Sequence, residues 1–374
     1  MLAPDWIWHI FVFALGCCIG SFLNVVIYRV PREKSLVFPG SACPACARPI
    51  RFYDNIPLFS WLILRGKCRN CKAPVSGRYF VVEFLTGVIY LGLFIVFFQT
   101  PLRPDVPDFL AHGWLVYLVH IVLLSMLIAA SAIDLELWII PLGLCWFVTG
   151  AAIAGTVAGT AMGVLQALPS SSPRTAALAL GALVGLMLSL VLLATGLIKR
   201  SYAFETENQD QEVDEDQINH RREAFQEILF IAPIVVFSVG FAWAAARFEP
   251  VRSGWASVHQ YAAVKGGLGC IWGYFVGCAV VWATRILGTL ALGKEAMGLG
   301  DVHLMGAIGA VIGPVMVTLA FFIAPFFGLS WALFQMFFKK TRQIPYGPFL
   351  SIGTFVVIIF QYWFLGRMGF VFGY

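Results

Sequence analysis

The chain has 374 residues, with 25 lysines and arginines against 20 aspartates and glutamates. Hydrophobic residues make up 60% of it and charged residues only 12%, and the mean hydropathy of +0.83 excludes an ordinary soluble globular domain. The composition predicts an all-α polytopic membrane protein whose environment is the lipid bilayer, and we expect no nucleic-acid partner.

The spans follow from apolar stretches near or above the roughly 20 residues that cross a bilayer. Eight such stretches lie at about 6–28, 79–98, 114–133, 141–167, 177–198, 228–246, 264–291 and 349–365. A ninth, 302–338, is interrupted by Gly313-Pro314, which predicts a short helix, a tight turn and a longer helix. We therefore expect about ten crossings. The N-terminus has no basic region and no cleavage site, so the first helix is expected to be retained.

Lysine and arginine predict the orientation, since cytoplasmic loops are enriched in them. The loop from Arg29 to Arg78 holds ten of the 25 basic residues, against only Glu33 and Asp54. This loop is expected in the cytoplasm. Ten crossings then place the later basic loops on the same side and both termini on the other.

Four of the nine cysteines form two C-x-x-C knuckles, "CPAC" with Cys43 and Cys46 and "CRNC" with Cys68 and Cys71. Two tight turns at this spacing bring four thiolates around one Zn²⁺, and metal binding then helps a small loop to fold. Two disulfides are the alternative, which a reducing cytoplasm disfavours. The predicted zinc site is structural, because protein fills all four positions. The other five cysteines are expected to be buried apolar side chains.

Three acids lie near span boundaries, Glu83, Asp134 and Asp301, where carboxylates are costly and usually functional. Asp134 ends the third predicted span and Asp301 begins the eighth, so the topology puts both at the cytoplasmic face. Two adjacent carboxylates share a proton, so one activates water while the other donates to a carbonyl oxygen. This pair would hydrolyse a peptide without metal. Gly298 and Gly300 would let a substrate backbone approach closely.

Other interpretations of the acids remain open at this point. Asp301 at a helix start is also typical of an N-cap or a partner of the helix dipole. Glu136, two residues after Asp134, is interpreted as a solvated interfacial charge. A proton-coupled transporter also uses paired membrane acids but does not explain the cysteine loop. A structural component of a secretion assembly explains that loop but leaves the two acids without a role.

Several segments resemble the type IV prepilin peptidases, membrane aspartyl proteases of the GxGD class. "GSFLNVVIYRVP" (20–31) is similar to the exit of that family's first helix, and "CPACARPI" and "CRNCKAPVSGRYFVVEFLTG" to its two-knuckle domain. "AIDLELWIIP" and "GLGDVHLMGAIGAVIG" resemble its two aspartate segments, and "IPYGPFL" (344–350) its late proline-glycine motif. Presenilin-type proteases share "GLGD" without the knuckles, and archaeal preflagellin peptidases generally lack the cysteine domain.

The resemblance implies that Asp134 and Asp301 form a catalytic dyad that removes a basic leader from prepilins or pseudopilins. The enzyme would lie in the bacterial cytoplasmic (inner) membrane and cut at its cytoplasmic face. Family members with the cysteine loop generally also methylate the new N-terminus from S-adenosylmethionine, an activity expected in the loop and adjoining helices. Glu83 is a candidate for binding the substrate amine, and an ion pair with a loop arginine is the alternative.

The same resemblance predicts the domain organisation. The first membrane helix is 1–28, the cysteine domain 29–78, the N-terminal peptidase/methyltransferase part 10–98, and the peptidase domain 114–365. About 170–260 is expected to be an insertion, containing an extra helix pair and a polar loop. An even number of added spans keeps the two aspartates on one side.

Two features depart from the family pattern or stand outside it. His303 stands where the family usually has lysine, and we hypothesise that it modulates the dyad or meets the substrate carbonyl. "ETENQDQEVDED" (205–216) has seven acids in twelve residues, which predicts a solvated, disordered run. A sharper hypothesis is that this run attracts basic leader peptides over long range.

Overall fold

The computed structural model describes residues 4–164, 167–199, 201, 219–338 and 345–372. Within these ranges the protein is helical, and the only β-structure is a pair of isolated bridges in the loop after the first helix. Nine helical segments of the described chain are long and apolar enough to cross a membrane. The all-α membrane fold is therefore confirmed. The acidic run at 205–216 lies outside the described residues.

The helices are numbered in chain order, and two of them, α2 and α8, are too short to span a bilayer. Helical backbone satisfies its own hydrogen bonds, which is the condition for lying in lipid. The bounds are α1 Asp5–Arg29, α2 Phe59–Ile63, α3 Gly77–Phe98, α4 Trp114–Leu137, α5 Leu142–Ala161, α6 Pro173–Ala194, α7 His220–Arg247, α8 Glu249–His259, α9 Ala262–Leu292, α10 Leu299–Phe338 and α11 Gly347–Phe372.

Helix α10 reverses direction at Gly313, whose φ of 82° and ψ of 172° are not helical. A Cβ built on Gly309 would lie 3.3 Å from Cγ1 of Val317. In an unbroken helix, residues eight positions apart are separated by about 12 Å along the axis. The chain therefore folds back at Gly313-Pro314, as the sequence predicts. Counting the two arms of α10 separately turns the nine segments into the ten that were expected.

The chain divides into two compact units. The first contains Met1–Leu144 and Ile323–Tyr374, and so includes α1 to α4, the end of α10 and α11. The second is Cys145–Phe322, which includes most of α5, helices α6 to α9 and the beginning of α10. This division cuts through the predicted peptidase domain at 114–365, whose limits remain a prediction.

In the first unit, glycines bring α1 and α3 into backbone contact. A Cβ on Gly16 would lie 2.8 Å from Cα of Gly87, and one on Gly20 would lie 2.7 Å from Cα of Glu83. Small residues spaced four apart are the usual means of close helix packing in lipid. The contact at Gly20 fixes the position of Glu83 along α3. A buried apolar cluster that includes Ile27 and Ile133 adds the end of α4 to this pair.

In the second unit, α6 and α7 form the helix pair expected in the stretch 170–260. A Cβ on Gly181 would lie 2.3 Å from the Phe237 carbonyl oxygen, and one on Gly185 would lie 2.4 Å from that of Pro233. The hydroxyl of Ser189 also donates to the carbonyl of Phe230 at 2.7 Å. The pair is thus closely packed. That it is an insertion stays a prediction.

Helices α9 and α10 of the second unit also pack closely at glycines. A Cβ on Gly273 would lie 2.0 Å from the carbonyl oxygen of Gly309, and one on Gly277 would lie 2.1 Å from that of Met305. No side chain fits between these backbones. The contact therefore sets the register of α9 against the first arm of α10, which begins two residues before Asp301.

We expect Gly273→Ala to destabilise the protein by about 1–3 kcal/mol, because the added methyl group overlaps the facing carbonyl and forces the helices apart. Gly150→Ala is the matched control, since a Cβ there has nothing within 4 Å. That control should leave stability unchanged or raise it by roughly 0.5–1 kcal/mol. Detergent-driven unfolding of the purified protein measures both. Equal midpoints for the two variants would contradict this packing.

Candidate functional site

The two cysteine knuckles have the same backbone hydrogen bonds. The Cys43 N–H donates to the Arg48 carbonyl at 3.0 Å, and the Cys68 N–H donates to the Ala73 carbonyl at 2.9 Å. In both, the residue just before the acceptor has a left-handed φ, 55° in the first and 59° in the second. The spacing of the cysteines thus produces two equivalent tight turns.

These turns bring the four sulfurs of Cys43, Cys46, Cys68 and Cys71 within 4.8 Å of one another. The sulfurs of Cys43 and Cys71 are 3.8 Å apart, and all four cysteines are free thiols. A tetrahedral metal with metal–sulfur bonds of about 2.3 Å has sulfur–sulfur edges of about 3.8 Å. The cluster can therefore hold a structural metal ion, and the disulfide alternative does not match this geometry.

The ionisation of the cysteines also fits a bound cation. Backbone N–H groups of Cys71 and Asn70 donate to Cys68 and lower the pKa of its thiol to about 6. A backbone hydrogen bond from Ala73 favours the Cys71 thiolate, but desolvation and the neighbouring thiols outweigh it and raise the pKa of Cys71 to about 11. Cys68 and Cys71 therefore do not both ionise readily by themselves. A divalent cation removes that obstacle.

A cavity of about 880 Å³ lies beside the knuckles in the first unit. It is bounded by the C-terminal end of α1, the start of α3 and the last turn of α4. Its lining combines aromatic rings, arginines and three carboxylates, among them Tyr28, Trp61, Tyr79, Glu83 and Glu136. The cavity is large enough for a small organic ligand.

Glu83 is 8% exposed, and its Oε2 accepts the backbone N–H of Leu58 at 2.8 Å. Arg78 lies one helical turn before Glu83 but pairs with Glu136 at the end of α4. Among the described residues, the alternative of an ion pair between Glu83 and a loop arginine is not observed. Glu136 is exposed at the end of α4, as expected of an interfacial charge, and it also pairs with Arg78, a contact that sequence periodicity does not predict.

Asp134 lies in the last turn of α4 and is 6% exposed. Its Oδ2 accepts the N–H of Gly347, the first residue of α11, at 3.0 Å. A Cβ on Gly347 would lie 2.7 Å from that oxygen, so glycine is required for this approach. The positive end of α11 also favours a carboxylate there. Gly347 of the late motif thus supports Asp134, a role that the sequence did not reveal.

Asp301 is in the first turn of α10 and is 9% exposed. Its N–H donates to the Gly298 carbonyl at 3.2 Å, and a Cβ on Gly298 would lie 3.6 Å from Asp301 Oδ2, an ordinary contact. His303 lies on the same turn, and its Nδ1 is 2.9 Å from the hydroxyl of Tyr274 on α9.

Asp134 belongs to the first unit and Asp301 to the second. Their pairing remains a prediction, as do the roles of His303, Gly298 and Gly300.

Two protein families match this chain. The Bacterial Peptidase A24 N-terminal domain matches residues 14–97, which contain the four knuckle cysteines and Glu83. The Type IV leader peptidase family matches residues 229–333, which contain Asp301. Asp134 lies outside both matched ranges. No solved structure matches.

Curated relatives align over most of the chain. The Prepilin leader peptidase/N-methyltransferase of Aeromonas hydrophila is 25% identical over 95% of this chain and 91% of its own length. The Type 4 prepilin-like proteins leader peptide-processing enzyme of Escherichia coli O78:H11 is 28% identical over 92% of this chain and 91% of its own length. The Prepilin leader peptidase/N-methyltransferase of Myxococcus xanthus is 45% identical over 36% of each chain.

Proposed function

Since the chain belongs to the type IV leader peptidase family and is a prepilin peptidase with N-methyltransferase activity, we propose that Asp134 and Asp301 are its catalytic carboxylates. The observation that carries this proposal is a buried carboxylate at the end of a membrane helix, Asp134, held by the first N–H of α11. Asp301 supports it as a second buried carboxylate at a helix end.

The two carboxylates act with one shared proton, because like charges at close range do not both ionise readily. One takes a proton from the attacking water, and the other donates a hydrogen bond to the scissile carbonyl oxygen. The proton then passes to the leaving amine. No metal takes part in these steps. Gly298 carries no side chain beside Asp301, which allows an extended substrate backbone to approach closely.

The substrates we propose are prepilins or pseudopilins with short basic leaders. The enzyme lies in the bacterial cytoplasmic membrane with its knuckle loop in the cytoplasm, a position supported by ten basic residues between Arg29 and Arg78. Cleavage then occurs where the leader meets the apolar segment of the substrate. Both termini of the enzyme lie on the opposite side.

We expect Asp134→Asn and Asp301→Asn each to reduce prepilin cleavage by roughly 10²–10⁴-fold, because each removes one member of the acid–base pair without changing the size of the side chain. The exposed Glu249 supplies a control variant, Glu249→Gln, which should cleave normally. Cleavage is measured by mass spectrometry, and methylation of a pre-cleaved pilin peptide reports that each variant is folded. Normal cleavage by either aspartate variant would exclude the dyad.

The cavity beside the knuckles is the proposed site of N-methylation. S-adenosylmethionine supplies an electrophilic methyl group, and its amino acid and adenine parts need charged and aromatic partners. The lining offers these partners in Arg78, Glu136 and the rings of Tyr28 and Tyr79. Glu83 orients the amine of the cleaved substrate, because its buried carboxylate is already held in place by the Leu58 N–H.

We expect Glu83→Gln to slow methylation by roughly 10- to 100-fold, because glutamine can still accept the Leu58 N–H but no longer pairs with an ammonium group. Cleavage should be unaffected. The control is Glu33→Gln, a change of the same kind at an exposed residue outside the cavity lining. Both activities are measured on one peptide, as cleaved and as methylated product. Equal loss of cleavage and methylation would argue against a specific role in methyl transfer.

The metal held by the four cysteines is proposed to be Zn²⁺, and its role is structural. All four coordination positions are filled by protein, so none remains for water or substrate. Its binding energy keeps the two knuckles folded against the cavity. The residues of the cavity then depend on the metal, whereas those of the dyad do not.

Elemental analysis of the purified protein should find one zinc ion per chain, and Cys68→Ser with Cys71→Ser should remove it. Methylation should then fall by at least about tenfold, because the cavity loses its wall, while cleavage persists. Cys18→Ser, at an exposed cysteine outside the cluster, should retain the metal. Full methylation by the zinc-free variant would exclude this structural role.

A further inference from the structure

A buried network in the second unit is used by none of the chemistry above. Its centre is Arg285, which lies two turns before the end of α9 and is 1% exposed. The Nε of Arg285 is 2.9 Å from Oε1 and 3.2 Å from Oε2 of Glu227 on α7. Glu227 is itself 3% exposed, and its Oε2 also accepts the indole N–H of Trp282 at 2.8 Å.

The other end of the guanidinium reaches the loop between α9 and α10. The Nη1 group of Arg285 donates to the carboxylate of Glu295 and to the carbonyl oxygen of Met297. Gly298 follows Met297 directly, and Asp301 comes three residues later. A single side chain therefore connects a helix of the α6–α7 pair to the backbone that leads into Asp301.

Further contacts fasten the same loop to α9. The N–H of Ala296 donates to the hydroxyl of Thr289 at 3.3 Å. A Cβ on Gly288 would lie 2.6 Å from the Cβ of Ala296, so the loop rests directly on the helix. The loop has its own sharp turn at Gly293, whose φ is 69°. These contacts are neutral, whereas Arg285 adds an ionic link to a third helix, α7.

Packing alone does not account for a buried arginine here. Desolvating a guanidinium and a carboxylate is costly, and apolar side chains of similar size commonly stabilise a protein as well or better. What apolar side chains lack is a planar set of donors that can bind a carboxylate and a loop carbonyl together. Arg285 binds the Glu227 carboxylate and the Met297 carbonyl in this way.

We propose that Arg285, held in place by Glu227, is a positioning residue that fixes the loop before Asp301 and hence the Asp301 carboxylate. The inference rests on the proposed role of Asp301. It also gives the α6–α7 pair a function, since α7 supplies the anion that holds Arg285. Arg285 itself touches no reacting atom.

The test compares Arg285→Gln, the double variant Arg285→Gln with Glu227→Gln, and the control Arg252→Gln in the purified full-length protein. Arg252 pairs with Glu249 in the same unit, but both side chains are exposed. Arg285→Gln leaves Glu227 as a buried unpaired charge and lowers stability, whereas the neutral double variant restores stability. Both should lower kcat for prepilin cleavage by on the order of 100-fold with KM little changed, because a small misplacement of a catalytic group has that effect.

Two readouts separate positioning from folding. Methylation of a pre-cleaved peptide should be normal in the double variant, because the residues proposed for it lie in the first unit. Trypsin cleavage after the exposed Lys294 should become faster by about tenfold or more, because the loop loses its bonds to the Arg285 guanidinium. Arg252→Gln should change neither cleavage nor trypsin sensitivity.

Recovery of cleavage in the double variant would overturn the proposal, since the network would then stabilise the fold without positioning Asp301. Unchanged sensitivity at Lys294 would overturn it too. The trypsin readout does not depend on enzymatic activity. If Lys294 becomes sensitive to trypsin in the Arg285 variants while the wild-type protein does not cleave prepilin, the role of Arg285 in holding the loop is supported and the peptidase function is excluded.

Discussion

The contact of helix backbones at glycines is the constraint on which the other features of this protein depend. Water does not drive helices together inside a bilayer, so close packing between small residues must do so. At Gly20, Gly185 and Gly277 the facing backbone leaves no room for a Cβ. Each contact fixes one helix against another along its axis. The depths of Glu83 and of the loop before Asp301 follow from these registers.

Residues proposed for the two activities lie close together in the first unit. Asp134 and Glu136 occupy the same last turn of α4, and Glu136 lines the cavity proposed for methyl transfer. Arg78 joins this turn to the start of α3, where Glu83 lies. In the proposed mechanism, an N-terminus released near Asp134 has only a short distance to move before it is methylated. This proximity offers a physical reason for one chain to carry both reactions.

The sequence was sufficient where the signal is local. Hydropathy predicted the spans, the Gly313-Pro314 step predicted the reversal in α10, and two C-x-x-C pairs predicted the thiol cluster. Contacts between distant residues could not be predicted, because they depend on how far each helix is shifted along its neighbour. Hydrophobic periodicity does not determine that shift. The bond from Gly347 to Asp134 and the bond from Leu58 to Glu83 are of this kind. The spacing of glycines by four, as in "GCCIG", "GALVG" and "GYFVG", was the signal that could have indicated the registers.

The insertion at about 170–260 stays a prediction, and it would have to meet two physical conditions. It would have to contain an even number of crossings, or the two proposed catalytic acids would end on opposite sides of the membrane. It would also have to leave the backbone before Asp301 in place, although α7 packs against α9 through Glu227 and Arg285. Arg285 and Glu227 meet the second condition together, because Arg285 binds the loop and Glu227 without Arg285 would be a buried carboxylate with no opposite charge. The α6–α7 pair and the loop before Asp301 are therefore physically dependent on each other.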